Sequence, residues 1–520
     1  MKRHHLIELH RYPPTSLDGI LISTISNLFS FVNRIAGTNR VCLKARTTGM
    51  DFSPPRSNNE EVSSPKNDRS NCPSFELSRV FNIFRTHCHP RQGGLRKGVT
   101  LIMIREVQPA EVPDLVDVLA NAYPGWALST ADERERVAQA ILKAQAGSLA
   151  RKYFGLFRDG RLVGGMRLFD FRMNLLGHMV DAGGVGVVAV DLLRKKEHVA
   201  KELMAGFLDH YRQKNTSMAL LYAFRTDFYQ NMGFGLGPQA YRYKIAPARF
   251  PKGQSKSHIV RLQGSAADKA RFKAYYHAQV ARTHGLIEKT DGEIDVLFSS
   301  PERLVFGYHA EGELKGYMLA RFEPENPENK LSNNLRVTEF FYDSPAVLAE
   351  FLTFLHSQAD QLRYIVFDTF DRDFHHLFGD ARSDGESTIH GVYQESNVAA
   401  TGLMYRVLNT EQLFRDLEEH HFGGESLRIR LAIDDSFLSV NSRPIVVQFD
   451  HGRVASISPN GPYDVELSTT ISHFSSLIMG TIPFRKLVAY GLATVSNQAF
   501  VSVIDRMFHT DEGPICTTEF

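Results

Sequence analysis

The chain has 520 residues, in which 60 lysines and arginines balance 58 aspartates and glutamates, so the formal net charge is only +2. This length suits several domains, and the near balance of charge argues against a nucleic-acid-binding protein, which should carry a clear basic excess. No apolar run approaches the roughly 18 residues that a membrane span requires, so we expect no membrane partner.

The first hundred residues differ from the rest of the chain. Residues 1–102 lack sustained hydrophobic periodicity, and we predict a disordered or non-native extension, with translation starting at Met103. His87, Cys88 and His89 form a weak metal signal, because no second ligand pair accompanies them, and we predict no metal. After Met103 the chain has one cysteine, Cys516, which fits a reducing cytoplasm.

Three local signals follow Met103: an amphipathic helix, a second helix with a capping box, and a β-hairpin. In chain order they are residues 107–122, Thr130 with Glu133, and strands 153–157 and 162–171 around the turn 158–161.

The next stretch predicts a strand, a basic turn and a helix. Residues 185–190 are a β-branched run typical of a buried strand, and from Val199 the apolar residues recur three or four apart, as on one helix face. Arg194, Lys195 and Lys196 lie between the two elements. A helix start has unpaired amides and a positive dipole end, so this turn favours phosphate. The alternative is an ordinary solvated charge run.

A second strand and a tyrosine complete the pattern. Residues 219–224 predict the strand, and Tyr229 lies near the start of a short helix that ends at Gly233. A ligand bound at the preceding turn should reach this edge of the sheet, where a phenol serves as proton donor. The alternative is a tyrosine that belongs to the core.

Two motifs carry a family resemblance: D-L-L-R-K-K-E-H-V-A-K-E-L from Asp191, and F-R-T-D-F-Y-Q-N-M-G-F-G from Phe224. They resemble the GNAT acyl-CoA N-acyltransferases, and within them the enhanced-intracellular-survival (Eis) family, most closely its Gram-positive members. The resemblance implies acetyl-CoA as co-substrate and Tyr229 as general acid. The implied acetyl-CoA residues are Val188, Ala189 and Val190 for pantetheine, Lys195, Lys196, Glu197, His198, Val199, Ala200 and Lys201 for pyrophosphate, and Phe224 with Arg225 at the strand end. His198 stands where the family usually has glycine.

The following segment repeats the first one. Residues 304–308 and 316–321 mimic the earlier hairpin, and residues 373–379 mimic residues 227–233, with His375 in place of the tyrosine. The turn at 342–346 carries no cation. We interpret this segment as a duplicated fold that has lost its cofactor, against the alternative of chance similarity between two α/β segments.

From about Thr401 the pattern changes to short strands and helices. The predicted strands are 427–433, 437–440, 445–449 and 454–457, residues 473–479 predict a helix, and residues 484–490 lead to residues 493–495. This arrangement resembles the sterol-carrier-type α+β domain, for which the family implies a mainly architectural role. The predicted fold is therefore a mixed α+β and α/β protein with tandem GNAT domains, catalytic at 103–253 and degenerate at 254–400, and a sterol-carrier-like domain at 401–520.

The resemblance also assigns the remaining roles. It implies that the terminal carboxylate of Phe520 is the general base, and that the chain forms hexamers. Glu519 should add negative potential for a cationic amine, and Trp126 is a candidate pocket residue. We predict an acetyl-CoA-dependent N-acetyltransferase acting on primary amines, either aminoglycoside-like polyamines or lysine side chains. The alternative is a ligand- or lipid-binding protein with a vestigial GNAT domain.

Overall fold

The computed structural model describes residues 102–520, apart from residues 127, 148–150, 327, 384–387 and 390. The predicted extension up to residue 101, with its triplet at 87–89, lies outside the described residues.

The described residues form twenty-one strands. In chain order they are β1 Ile102–Glu106, β2 Arg151–Arg158, β3 Arg161–Leu175, β4 His178–Val190, β5 Met218–Tyr222, β6 Gly235–Leu236, β7 Ala240–Ile245, β8 Ile259–Leu262, β9 Leu304–Ala310, β10 Glu313–Asn326, β11 Asn329–Tyr342, β12 Leu362–Thr369, β13 Thr388–Ile389, β14 Tyr393–Gln394, β15 Val398–Ala400, β16 Leu403–Val407, β17 Leu427–Asp434, β18 Ile445–Asp450, β19 Arg453–Ser458, β20 Val465–Thr470 and β21 Ala493–Val495.

Eleven α-helices join these strands in the described part of the chain. They are α1 Val112–Ala122, α2 Ala131–Ala146, α3 Val199–Gln213, α4 Thr226–Gln230, α5 Ala266–Arg282, α6 Asp291–Ser299, α7 Pro345–His356, α8 Thr410–Asp416, α9 Ile471–Ile478, α10 Phe484–Ala489 and α11 Val501–Met507.

Two seven-stranded sheets have matching orders, and they exchange one strand each. The first sheet runs β1-β2-β3-β4-β5-β16-β6, and the second runs β8-β9-β10-β11-β12-β7-β15. The sixth position of each sheet is filled from the other half of the chain: β16 pairs with β5, and β7 pairs with β12. The strands therefore divide differently from the predicted boundaries at 253 and 400. We call the first sheet with α1–α4 the first unit, and the second sheet with α5–α7 the second unit.

The third unit is the five-stranded sheet β19-β18-β17-β20-β21 with helices α8–α11. Its apolar core is continuous with residues of β3, β4 and β16. A fully buried ion pair connects the units, because Arg406 of β16 lies 2.8 Å from the carboxylate of Asp435. Breaking such a pair by removing one partner costs about 3–5 kcal/mol.

Most predicted elements are confirmed, and three differ in instructive ways. The helix predicted from residue 107 begins at Val112, because Pro113 has no N–H to donate and is tolerated in the first turn of a helix. The strand predicted at 219–224 ends at Tyr222. The strand predicted at 437–440 is wrong. Asp435 accepts hydrogen bonds from the N–H groups of Phe437 and Leu438, so this segment turns around the buried ion pair.

Candidate active site

The site begins where β4 and β5 part. The parallel pairing ends at Val185 with Leu221, and β4 then carries a bulge in which Val187 has a φ of 54°. Positive φ is rare for a β-branched residue, and bulges occur beside functional sites. Beyond the bulge Val188, Ala189 and Val190 have no β5 neighbour.

Tyr123 covers this opening from the end of α1. Its hydroxyl donates a hydrogen bond of 2.9 Å to the carbonyl of Val188, and its ring stacks on Trp126 at 4.7 Å. Burial raises the pKa of Tyr123 to about 12, and the positive charge of Arg167 opposes that shift. The predicted pocket residue Trp126 therefore lies beside the opening.

The basic turn is open to solvent. Lys195 and Lys196 are exposed, and neither forms an ion pair with another described residue. The first hydrogen bond of α3 runs from the N–H of Glu202 to the carbonyl of His198 at 3.0 Å. The N–H groups of Val199, Ala200 and Lys201 therefore have no partner within the helix and are able to donate hydrogen bonds to an anion. The Lys201 ammonium lies 5.7 Å from the ring of Phe437 in the third unit.

His198 adopts the backbone conformation that glycine usually provides. Its φ is 64°, and that of Lys196 is 66°. The turn is thus retained without glycine, and the His198 side chain is exposed. Left-handed conformations cost a non-glycine residue about 1–3 kcal/mol and are typical of functional sites.

Arg158, at the end of β2, contacts the basic turn and the first turn of α3. The sequence did not identify it as a site residue. Its guanidinium donates to the Glu197 carboxylate at 2.9 Å, to the Glu197 carbonyl at 2.9 Å and to Glu202 at 3.1 Å. The Glu197 carboxylate is consequently paired with arginine, so Glu197 can contribute to an anion site only through its backbone. The partners lie 39 and 44 residues from Arg158, and the hairpin signal gave no hint of them.

Tyr229 lies on α4, beside the opening. It is 4% exposed and packs edge-to-face against Phe228 at 5.1 Å and Phe224 at 5.8 Å. Its hydroxyl has no hydrogen-bond partner among the described residues. Burial raises its pKa above the ordinary value of a tyrosine, so it stays protonated at neutral pH.

Phe224 and Arg225 lie at the outer rim of this edge. Phe224 is 77% exposed, and Arg225 pairs with Asp227 through a hydrogen bond of 3.1 Å. Both positions suit contacts with a bound molecule that extends to the surface.

The C-terminal tail ends at the same sheet edge. Tyr222 donates to the Thr518 carbonyl at 3.1 Å, and the ring of Phe520 packs against Phe171 at 4.9 Å. A Cβ placed on Gly186 of β4 would lie 3.1 Å from the carboxyl carbon of Phe520, so glycine permits this close approach. The terminal carboxylate therefore lies over β4, one residue before the bulge.

Glu519 faces the second unit. The surrounding protein desolvates its carboxyl and raises the pKa, and the nearby Arg303 and Arg321 oppose that shift. The residue as a whole is nevertheless exposed to solvent. Its negative charge is therefore partly compensated by cations of the second unit.

The corresponding turn of the second unit is unsuited to phosphate. Ser344 caps α7 by accepting from the N–H of Val347, and the Asp343 carboxylate accepts hydrogen bonds from Tyr275 at 3.0 Å and from Arg282. In this turn the Ser344 side chain caps the first helix amides, and the Asp343 carboxylate stands where the first unit has lysines. Both differences support the interpretation that the second unit has lost its cofactor site.

Within residues 102–520 as described, no group of three or more His, Cys, Asp or Glu side chains is arranged to hold a metal ion. Over the same residues, each helix is too short or too polar to cross a bilayer.

Comparisons with known proteins agree with this architecture. Residues 103–237 and 279–422 match two families described as acetyltransferase (GNAT) domains, and residues 415–517 match a sterol carrier protein domain family. No curated protein matches the chain.

Solved structures with a similar fold include a GCN5-related N-acetyltransferase from Kribbella flavida, with a TM-score of 0.64 and 20% identity over 81% of this chain and 99% of that chain. Eis1 from Mycobacterium abscessus has a TM-score of 0.62 and 17% identity over 81% of this chain and 100% of that chain. The chain thus carries two GNAT acetyltransferase domains followed by a sterol-carrier-like domain, as the sequence predicted.

Proposed function

We propose that the chain is an acetyl-CoA-dependent N-acetyltransferase of the Gram-positive Eis type, which transfers acetyl directly to a primary amine. The observation that carries the proposal is the convergence of four features on one sheet edge. These are the basic turn at the start of α3, the opening between β4 and β5, the Tyr229 hydroxyl and the terminal carboxylate of Phe520.

The residues of the turn fit a diphosphate. Three N–H groups without a partner in the helix lie next to two exposed lysines, and Arg158 pairs with the nearby carboxylates of Glu197 and Glu202. Acetyl-CoA supplies an activated acetyl thioester, and the opening beyond Val185 is where its pantetheine arm would lie. The retained turn favours an enzyme over a vestigial binding protein.

Two groups of the chain manage protons. The Phe520 carboxylate accepts a proton from the attacking amine nitrogen as the new carbon–nitrogen bond forms. The Tyr229 hydroxyl donates a proton to sulfur as the carbon–sulfur bond breaks. Because a thiol is a stronger acid than a phenol, the Tyr229 phenolate left by this transfer is basic enough to take up a proton again, from solvent or from the carboxylate that received the amine proton.

The test uses purified full-length protein with acetyl-CoA and a panel of primary amines that includes an aminoglycoside and a lysine peptide. We expect release of one thiol per acetyl group transferred, with mass spectrometry placing the acetyl on nitrogen. Calorimetry should show acetyl-CoA binding. Well-folded protein that binds no acetyl-CoA would contradict the proposal. Cytoplasmic location and hexamer formation belong to the same proposal and are checked by fractionation and light scattering.

A further inference from the structure

Arg167 is a buried cation whose charge the protein leaves unmatched. It lies in the middle of β3 and is 8% exposed. Its Nε is buried without a hydrogen-bond partner, and within the described part of the chain no carboxylate lies within 4 Å of its guanidinium. Burying an unpaired charge is costly, so natural proteins seldom do it unless another molecule supplies the partner.

The register of the first sheet places Arg167 in the candidate active site. Arg167 lies directly opposite Gly186 of β4, so the two residues share a face of the sheet. The carboxyl group of Phe520 lies over Gly186 on that face. The guanidinium carbon is 4.6 Å from the centre of the Phe169 ring, and that ring packs edge-on against Phe520 at 5.4 Å.

Two opposite charges thus lie on the same face of the sheet without touching. The Phe520 carboxylate and the Arg167 guanidinium are more than 4 Å apart, because they form no ion pair. A molecule that carries an ammonium and a carboxylate on one carbon matches this arrangement of charge. Aromatic rings lie near Arg167: its charge acts on the Tyr123 hydroxyl, and the Tyr123 ring stacks on Trp126 at 4.7 Å.

We propose that Arg167 binds a carboxylate of the acceptor, so that the acceptor is an amine that also bears a carboxylate, such as an amino acid with an apolar or aromatic side chain. The inference rests on the proposed acetyl transfer. The ammonium of such an acceptor points to the terminal carboxylate that takes its proton, and its carboxylate forms a charge-assisted pair with Arg167. The same arginine disfavours a polycation at this site.

A carboxylate on the acyl group of the thioester would offer the same chemistry. The geometry favours the acceptor, because Arg167 shares its face of the sheet with the proposed base Phe520. The experiment nevertheless separates the two sources.

The test compares L-phenylalanine with L-phenylalaninamide, which differ in the carboxylate charge. Binding is measured by calorimetry in the presence of CoA, and kcat/KM is measured with acetyl-CoA. We expect the acid to be preferred by about 10- to 100-fold, the range of a hydrogen-bonded charge pair. The amide has the less basic amine and more of it is unprotonated at neutral pH, so a preference for the acid must come from the protein.

Three variants test whether Arg167 causes the preference for the acid over the amide. Arg167→Met should remove the discrimination between acid and amide, and it should raise the melting temperature because it removes a buried unpaired charge. Arg167→Lys should restore part of the discrimination. Arg172→Met alters an exposed arginine of the same strand and should leave the ratio unchanged.

The outcomes are distinct. Equal binding of acid and amide by the wild type, or a discrimination that survives Arg167→Met, overturns the inference. A preference for succinyl-CoA over acetyl-CoA that depends on Arg167 moves the carboxylate to the donor and overturns the acceptor assignment. Arg167-dependent binding of the acid without any acetyl transfer supports the carboxylate site and contradicts the proposed function alone.

Discussion

Tyr229 offers a direct test of the proposed general acid. We expect Tyr229→Phe to lower kcat by about 100-fold or more, the usual contribution of a general acid, with acetyl-CoA affinity nearly unchanged because the ring remains. Because burial raises the pKa of Tyr229 above its ordinary value near 10, the wild type should show no alkaline loss of activity from this residue up to pH 10. Steady-state kinetics and calorimetry measure both quantities.

Tyr490→Phe is the matched control, since Tyr490 is 63% exposed and lies in the third unit. A Tyr229→Phe enzyme with wild-type kcat would remove Tyr229 from the mechanism.

Phe520 combines a packed ring with a terminal carboxylate, and the two can be separated. Adding one glycine after Phe520 keeps the ring against Phe169 and Phe171 but moves the carboxylate away from Gly186. We expect kcat to fall by about 100-fold. Phe520→Leu keeps the carboxylate and most of the volume, so it should lose far less. Wild-type kcat after the added glycine would show that the carboxylate is not the base.

At the scale of elements, the β2–β3 hairpin holds the phosphate turn through Arg158. Replacing Arg158 with Met removes the cation that pairs with both Glu197 and Glu202, and leaves Glu197 with its 3.6 Å ion pair to Arg194. We expect acetyl-CoA binding to weaken by about tenfold, equivalent to roughly 1.4 kcal/mol, with a smaller change in kcat. Arg161→Met changes an exposed arginine of the same hairpin and serves as control. An unchanged Kd for Arg158→Met would show that the turn holds its shape without this contact.

The elements around the site could be predicted because their signals are local. The strand ending at Val190, the helix starting at Val199 and the capping box at Thr130 each depend on residues a few positions apart. The site roles of Arg158 and Arg167 could not be predicted, because strand register and distant partners determine their environments. The exchange of β7 and β16 was hidden for the same reason, since β16 pairs with a strand about 180 residues earlier.

At the scale of the whole molecule, His284 joins all three units. Its Nδ1 accepts a hydrogen bond from the N–H of Leu176, its Nε2 donates to the carbonyl of Met479, and its own carbonyl accepts from the N–H of Ile515 in the tail. Burial lowers its pKa to about 4, so the neutral ring is required for this junction.

The sign of the resulting pH dependence follows from that shift. Stability from neutral His284 is complete above the ordinary pKa of 6.5 and is lost as the pH falls toward 4. Between pH 7 and pH 5 we expect a local loss of about 2 kcal/mol. Hydrogen exchange of the Ile515 amide, corrected for intrinsic rates, should accelerate by about 30-fold in the wild type and much less in His284→Asn. His420, whose pKa is also about 4, lies close enough for its charge to act on His284 and contributes at this junction with the same sign. Equal acceleration in both proteins would contradict the role of His284.

The exchanged strands make the two GNAT domains interdependent. A fragment of residues 102–253 contains β7, which pairs in the second sheet, and lacks β16, which separates β5 from β6. We expect this fragment to aggregate or to unfold without a cooperative transition, because β5 loses its neighbour and apolar strand surface is exposed. Joining residues 102–239 directly to residues 402–520 supplies β16 in place of β7 and keeps the third unit, whose core is continuous with β3, β4 and β16. That chimera should regain a cooperative melting curve that acetyl-CoA shifts upward. Cooperative melting of the plain fragment, with the same shift, would show that each GNAT domain folds without the exchange.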